Sequence, residues 1–119
     1  MNETELEHQH TVTALAKPGQ DVVNGLNARS AHLLHMAVGV AGEAGELLDA
    51  VKKHAIYGAD LDIENVIEEL GDLEFYLQGI RQELKLSRSA VLAENIRKLK
   101  IRYGTHYSNE AASARKDKA

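Results

Sequence analysis

The order of apolar and polar residues along the chain predicts an all-α protein. Apolar residues recur every three or four positions, and beyond Pro18 no segment alternates as a half-buried strand would. Capping residues and turn signals then divide the chain into four helical segments. The predicted helices span Thr4 to Ala16, Asn27 or Ser30 to Tyr57, Asp62 to Lys85, and Ser87 to about Tyr103.

The second and third predicted helices carry long apolar stripes, which are typical of the core of an antiparallel helical bundle. The stripes comprise Leu34, Ala37, Ala41, Ala44, Leu48, Val51 and Ala55 in the second helix, and Val66, Leu70, Leu73, Leu77, Ile80 and Leu84 in the third. We therefore expect a four-helix protomer with an antiparallel helical core. In a chain of 119 residues, subunit association would help to bury apolar surface.

Length and composition limit the classes of protein that the chain can represent. We expect one domain over residues 1–119, with a core at about 27–104 and a polar, mobile tail at 105–119. The 14 basic and 18 acidic residues give a net charge of −4, which argues against binding to DNA, RNA or an anionic membrane. The absence of cysteine excludes disulfides and thiolate metal sites. The polar, acidic first ten residues lack the apolar segment of a signal peptide, so we expect a cytoplasmic protein.

Several carboxylates do not follow the pattern of a solvated helix face. With Leu73 as the centre of its stripe, Glu69 lies only about 40° away and Asp72 about 100° away. In the second helix, Glu43 and Glu46 lie together on one side of the stripe. A carboxylate such as Glu69 inside an apolar stripe is costly unless a positive charge compensates it.

Two helices that each offer two carboxylates three residues apart can enclose a cation from opposite sides. All of the ligands would be oxygen atoms, which suits Mg²⁺ or Mn²⁺ rather than Zn²⁺. The alternative for any one of these pairs is an ordinary solvated acidic face.

The fourth predicted helix adds positive charge. Asn95, Lys98 and Arg102 form a strip beside its apolar residues, and Lys52 and Lys53 close the second helix. An acidic metal site next to such a strip is what a metal-bound polyphosphate needs. The alternative is an amphipathic helix with a basic outer face.

Three segments resemble the MazG-like branch of the all-α nucleotide pyrophosphohydrolases. They are GEAGELLDAVKKHAIYG, VIEELGDLEFYL and ENIRKLKIRY, in which Glu-x-x-Glu and Glu-x-x-Asp are separated by 22 residues. The resemblance implies an α-helical protomer completed as a homodimer or homotetramer. It also implies magnesium-dependent hydrolysis of a nucleoside triphosphate, often a deoxynucleotide, to the monophosphate and pyrophosphate.

The resemblance also implies roles for individual residues. The magnesium ligands would be Glu43, Glu46, Glu69 and Asp72, and the phosphates and nucleotide would contact Lys53, Asn95, Lys98, Arg102 and Tyr103. For the mechanism, we expect in-line attack on the α-phosphorus by a water that the metal polarises with help from Glu46, while Lys98 and Arg102 bind the leaving pyrophosphate. Some relatives carry an acidic residue, a candidate general base, at the position occupied here by Gly42.

Alternatives stay open at this level. His32 and His35 fit packing or surface positions as well as base recognition, and Tyr103 fits a core as well as a binding site. A non-catalytic helical interaction module would explain the stripes but not the position of Glu69. A nucleotide sensor without turnover would explain both the metal site and Gly42.

Overall fold

The computed structural model describes residues 1–118, and these residues form helices without any strand, which confirms the all-α prediction. The six α-helices are α1 (Glu3–Leu15), α2 (Gly19–Gly25), α3 (Ala28–Ala55), α4 (Ile63–Leu84), α5 (Arg88–Tyr103) and α6 (Asn109–Ala114), and a 3₁₀ helix follows at Lys116–Lys118. The four predicted helices correspond to α1, α3, α4 and α5. Among the helices of residues 1–118, none is long and apolar enough to span a membrane.

The chain divides into two compact units, Met1–His32 and the residues from Leu33 onward, with the boundary inside α3. In the first unit, a capping box begins α1: the Asn2 side chain accepts a hydrogen bond from the Glu5 amide, and the Glu5 carboxylate accepts one from the Asn2 amide. Asn27 and Ser30 exchange equivalent hydrogen bonds of 2.9 Å at the start of α3. Both residues suggested as N-caps, Asn27 and Ser30, therefore take part in capping α3.

Two short helices, α2 and α6, were not predicted from the sequence. The seven residues of α2 begin and end with glycine, and this segment is too short to show helical periodicity. In the region predicted to be a mobile tail, the Ser108 side chain accepts a hydrogen bond from the Ala111 amide and begins α6. That cap is the sequence signal that would have indicated α6.

Helices α3 and α4 form an antiparallel pair with a close approach at two glycines. A Cβ atom added at Gly39 of α3 would overlap the ring of Tyr76, and one added at Gly79 of α4 would overlap the side chain of Met36. Since Gly39 follows Met36 along α3 while Tyr76 precedes Gly79 along α4, the helices run in opposite directions. Because glycine has no side chain, each helix leaves room at its glycine for a large side chain of the other helix. Tyr76 of α4 lies against Gly39, and Met36 of α3 lies against Gly79.

The face of α3 that packs on α4 is not the predicted stripe, and that part of the prediction was wrong. From Leu33 onward, the residues of α3 that are buried or half-buried are Leu33, Met36, Gly39, Val40, Glu43, Leu47, Ala50 and Lys52. The predicted stripe instead lies on a second, exposed face, where Leu48 is 66% exposed. Both faces are apolar and lie side by side on the helix, so their spacing alone does not show which one contacts α4. In α4, Val66, Leu73, Leu77 and Ile80 are half-buried as predicted, whereas Leu70 and Leu84 are exposed.

We expect Gly39→Ala to destabilise the protein by about 1–3 kcal/mol, because the added methyl group overpacks the contact with Tyr76. The matched control is Gly42→Ala in the same helix, where a Cβ meets nothing within 4 Å. That change should stabilise the helix by up to about 1 kcal/mol. Urea unfolding of both variants checks the prediction, and equal stability of the two would contradict the close approach.

Candidate metal centre

Three carboxylates meet across the contact between α3 and α4. Glu43 comes from α3, Glu69 and Asp72 come from α4, and one oxygen from each lies within 4.8 Å of the others. The contact of Gly39 with Tyr76, about one helical turn away, fixes the register that brings them together. The seam between the helices therefore changes from apolar to acidic within one turn.

The electrostatics of this group are unfavourable without a cation. Desolvation raises the pKa of Glu69, and so do its hydrogen bond with Glu43 and the negative charges of Glu43, Asp72 and Glu46. Every group that shifts this pKa is itself a carboxylate. Glu43 and Glu69 are both half-buried, so solvent compensates their charges only in part. A bound divalent cation would relieve this repulsion.

The donor set fits a hard divalent cation. Three carboxylates offer only oxygen ligands, which Mg²⁺ and Mn²⁺ prefer. Ligands from two facing helices cover one side of an ion and leave positions for water and for phosphate oxygens. The residues present therefore fit magnesium.

The predicted fourth ligand, Glu46, lies outside this group of three. Its side chain is exposed, although it is close enough for its charge to raise the pKa of Glu69. Glu46 belongs to a polar face of α3 that it shares with His35, Gly42, Asp49 and Lys53. It therefore flanks the three carboxylates from the solvent side.

Two of the predicted phosphate-binding residues, Lys53 and Arg102, form ion pairs with carboxylates outside the group of three. Lys53 forms an exposed 3.1 Å ion pair with Asp49, one turn earlier in α3. Arg102 pairs with Asp117 beyond the end of α5, and the positive charge of Lys98 helps to lower the pKa of Glu94 after the larger effect of Arg97. Lys98 is half-buried, whereas Asn95 is exposed. The ion pair of Arg102 thus joins α5 to the C-terminal segment rather than to the three carboxylates.

The aromatic residues make contacts of their own. The rings of Tyr103 and Tyr107 lie 5.4 Å apart between centroids, so Tyr103 contacts the segment after α5. The His35 ring lies 6.4 Å from that of Tyr76, which fills the space at Gly39. His35 lies on the polar face of α3, two to three helical turns before Glu43.

Sequence reasoning missed the two acidic partners, Asp49 and Asp117. The spacing of Asp49 four residues before Lys53 is a recognisable signal for an ion pair on a helix. Asp117 gives no such signal, because 15 residues separate it from Arg102 and only the fold-back of the chain brings them together.

Comparison with known families bears on this region directly. The profile of the MazG nucleotide pyrophosphohydrolase domain matches residues 31–106. The chain belongs to the MazG family. Searches of curated proteins and of solved structures gave no significant match. The matched segment contains the three carboxylates and all of the predicted α5 residues, and membership indicates nucleotide pyrophosphohydrolase activity in general.

We expect Glu69→Gln to weaken Mg²⁺ binding by at least about tenfold, since even residues behind the ligands commonly contribute that much. Isothermal titration calorimetry with MgCl₂ measures the affinity. Glu68→Gln, an exposed neighbour in the same helix, is the matched control and should leave the affinity unchanged. Equal affinities for the two variants would contradict a metal site at Glu69.

The Glu69→Gln variant also tests the charge repulsion among Glu43, Glu69 and Asp72. Because the pKa of Glu69 is raised on folding, the folded protein holds this proton more tightly than the unfolded chain does. Without metal, the ionised carboxylate therefore reduces stability once the pH rises above its unfolded pKa. Metal-free Glu69→Gln should be at least as stable as the wild type at about pH 7, with its advantage shrinking towards about pH 4. Thermal unfolding in EDTA measures this difference.

Proposed function

We propose that this MazG domain hydrolyses a nucleoside triphosphate to the monophosphate and pyrophosphate in a reaction that depends on Mg²⁺, which Mn²⁺ can replace. Water attacks the α-phosphorus. The observation that carries the proposal is the group of Glu43, Glu69 and Asp72, three carboxylates from two facing helices inside the matched segment. Their mutual repulsion is difficult to explain in a purely structural helix pair.

In this proposal the residues divide into a metal-holding group and groups that act on the substrate. Glu43, Glu69 and Asp72, joined by Glu46 as the resemblance implies, hold Mg²⁺. When bound, Mg²⁺ supplies positive charge for the phosphate oxygens and increases the acidity of water. Glu46, whose side chain is exposed, would accept the proton of the attacking water.

The basic strip of α5 would act on the other end of the substrate. Lys98 and Arg102 would bind the leaving pyrophosphate, with Asn95, Lys53 and Tyr103 as further contacts to the phosphates and nucleotide. We propose a deoxynucleotide as the substrate, in keeping with the resemblance, and a cytoplasmic location. The net charge of −4 supports a free nucleotide rather than DNA or RNA as the ligand.

We expect the purified protein to release pyrophosphate, not orthophosphate, from at least one of a panel of canonical and modified (d)NTPs with MgCl₂. Glu69→Gln and Asp72→Asn should lose at least about 100-fold in kcat, because each removes a charge that holds the metal. Pyrophosphate is measured by a coupled assay and the monophosphate by chromatography. EDTA should abolish both products.

Controls separate this proposal from its rivals. Glu68→Gln should retain full activity, because its side chain is exposed and lies outside the group of three. Magnesium-dependent nucleotide binding without turnover would instead indicate a sensor. If no nucleotide is bound or hydrolysed, and neither Glu69→Gln nor Asp72→Asn alters Mg²⁺ binding, the protein is an interaction module and the enzyme proposal fails.

We also propose that the protomer is completed by association into a homodimer or homotetramer. Large apolar side chains are exposed on both helices of the central pair: Leu48 is 66%, Ile67 64% and Phe75 67% exposed. Only Met36 and Ala50 are buried apolar residues within the described chain. A water-exposed surface of this kind is stabilised when another subunit covers it.

Static light scattering should therefore give a mass two or four times the 13.1 kDa of the protomer. Leu48→Lys places a charge on the exposed apolar face of α3 and should shift the protein towards the monomer. Asp60→Lys, in the connection between α3 and α4, introduces the same residue outside both helices and should leave the mass unchanged. A wild-type monomer at all concentrations would contradict the proposal.

A further inference from the structure

The segment after α5 folds back and places an acidic side chain on Arg102. Arg102 donates from Nε to Asp117 Oδ1 at 2.8 Å and from Nη2 to Asp117 Oδ2 at 3.2 Å. The Asp117 side chain is only 2% exposed and that of Arg102 16%. This is a two-point ion pair, largely shielded from water, and the hydrogen bonds from Arg102 lower the pKa of Asp117.

The fold-back begins at Gly104 and makes a second contact with α5. Gly104 ends α5 with a φ of +67°, a backbone conformation that favours glycine. The chain then returns so that α6 and the 3₁₀ helix both pack on α5, with the Tyr107 ring 5.4 Å from that of Tyr103. We call residues 105–118 the closing segment.

The closing segment occupies the same edge of the guanidinium group that a phosphate would use. A carboxylate and a phosphate both bind arginine through two parallel hydrogen bonds, and Asp117 already accepts two of them. With Arg102 only 16% exposed, a polyphosphate gains full access to it only after Asp117 leaves. We propose that Asp117 is an internal competitor for the phosphate-binding site, so that the closing segment covers Arg102 until a polyphosphate displaces it.

This inference rests on the proposed function, because it takes Arg102 as a phosphate-binding residue. It adds a regulatory element to that site. The apparent affinity for substrate equals the intrinsic affinity multiplied by the fraction of molecules in which the Arg102–Asp117 pair is open. Arg115, Lys116 and Lys118 flank Asp117 and would be released with it. Their positive charges favour keeping the opened segment near the phosphates.

The test compares polyphosphate binding by the full-length wild type and by Asp117→Asn. Tripolyphosphate with MgCl₂ is the probe, and calorimetry gives the dissociation constant. If about nine-tenths of wild-type molecules are closed, Asp117→Asn should bind roughly tenfold more tightly. Glu110→Gln, an exposed residue of α6, is the matched control for losing one negative charge in the same segment and should bind as the wild type does.

Hydrogen exchange of the wild type supplies a measurement that needs no variant. Tripolyphosphate should increase exchange at the amides of residues 109–118, because the segment opens. Unchanged affinity in Asp117→Asn together with unchanged exchange would overturn the competition while leaving the proposed function intact. Weaker binding in Asp117→Asn, restored by Asp117→Glu, would show that Asp117 positions Arg102 and would also overturn it. If neither protein binds tripolyphosphate or any nucleotide, the proposed function fails and the inference fails with it.

Discussion

The close approach of α3 and α4 is the constraint on which the rest of this structure depends. Glycines at Gly39 and Gly79 admit Tyr76 and Met36 between the helices and thereby fix how the two helices align. One turn further along, the same alignment forces Glu43 against Glu69 and Asp72. The packing that stabilises the pair therefore also produces an unfavourable contact between carboxylates. Such a contact is destabilising unless a positive charge compensates it.

The surface of helix α3 consists of three faces with different environments. One face packs on α4, a second is apolar and exposed, and a third carries the polar residues that include Glu46 and Lys53. The four proposed metal ligands consequently differ in kind. Glu43 and Glu69 lie in the seam, whereas Glu46 stands on the polar face next to it. This arrangement suits a site in which the inner carboxylates hold the ion and the outer one remains accessible to water.

Much of the architecture could be predicted from sequence, because the long helices carry clear caps and periodicity. The starts of α4 and α5 follow from Asp62 and Ser87, whose side chains accept hydrogen bonds from the amides three residues later. The position of Glu69 within an apolar stripe likewise marks it as unusual. The inner face of α3 was not predictable in the same way, since two apolar faces lie side by side and only the close approach at Gly39 decides between them. The partner of Arg102 was beyond prediction because it depends on the course of the chain after Gly104.

The division of α3 into three faces makes the helix sensitive to changes in length rather than in composition. Insertion of one residue between Gly39 and Glu43 would rotate everything beyond it by about 100° about the helix axis. Glu43 would leave the seam, the polar face would lose its alignment with Glu69 and Asp72, and the exposed apolar face would turn away from any subunit that covers it. Natural variation in this helix should therefore consist of substitutions, with insertions and deletions confined to the connections on either side of it.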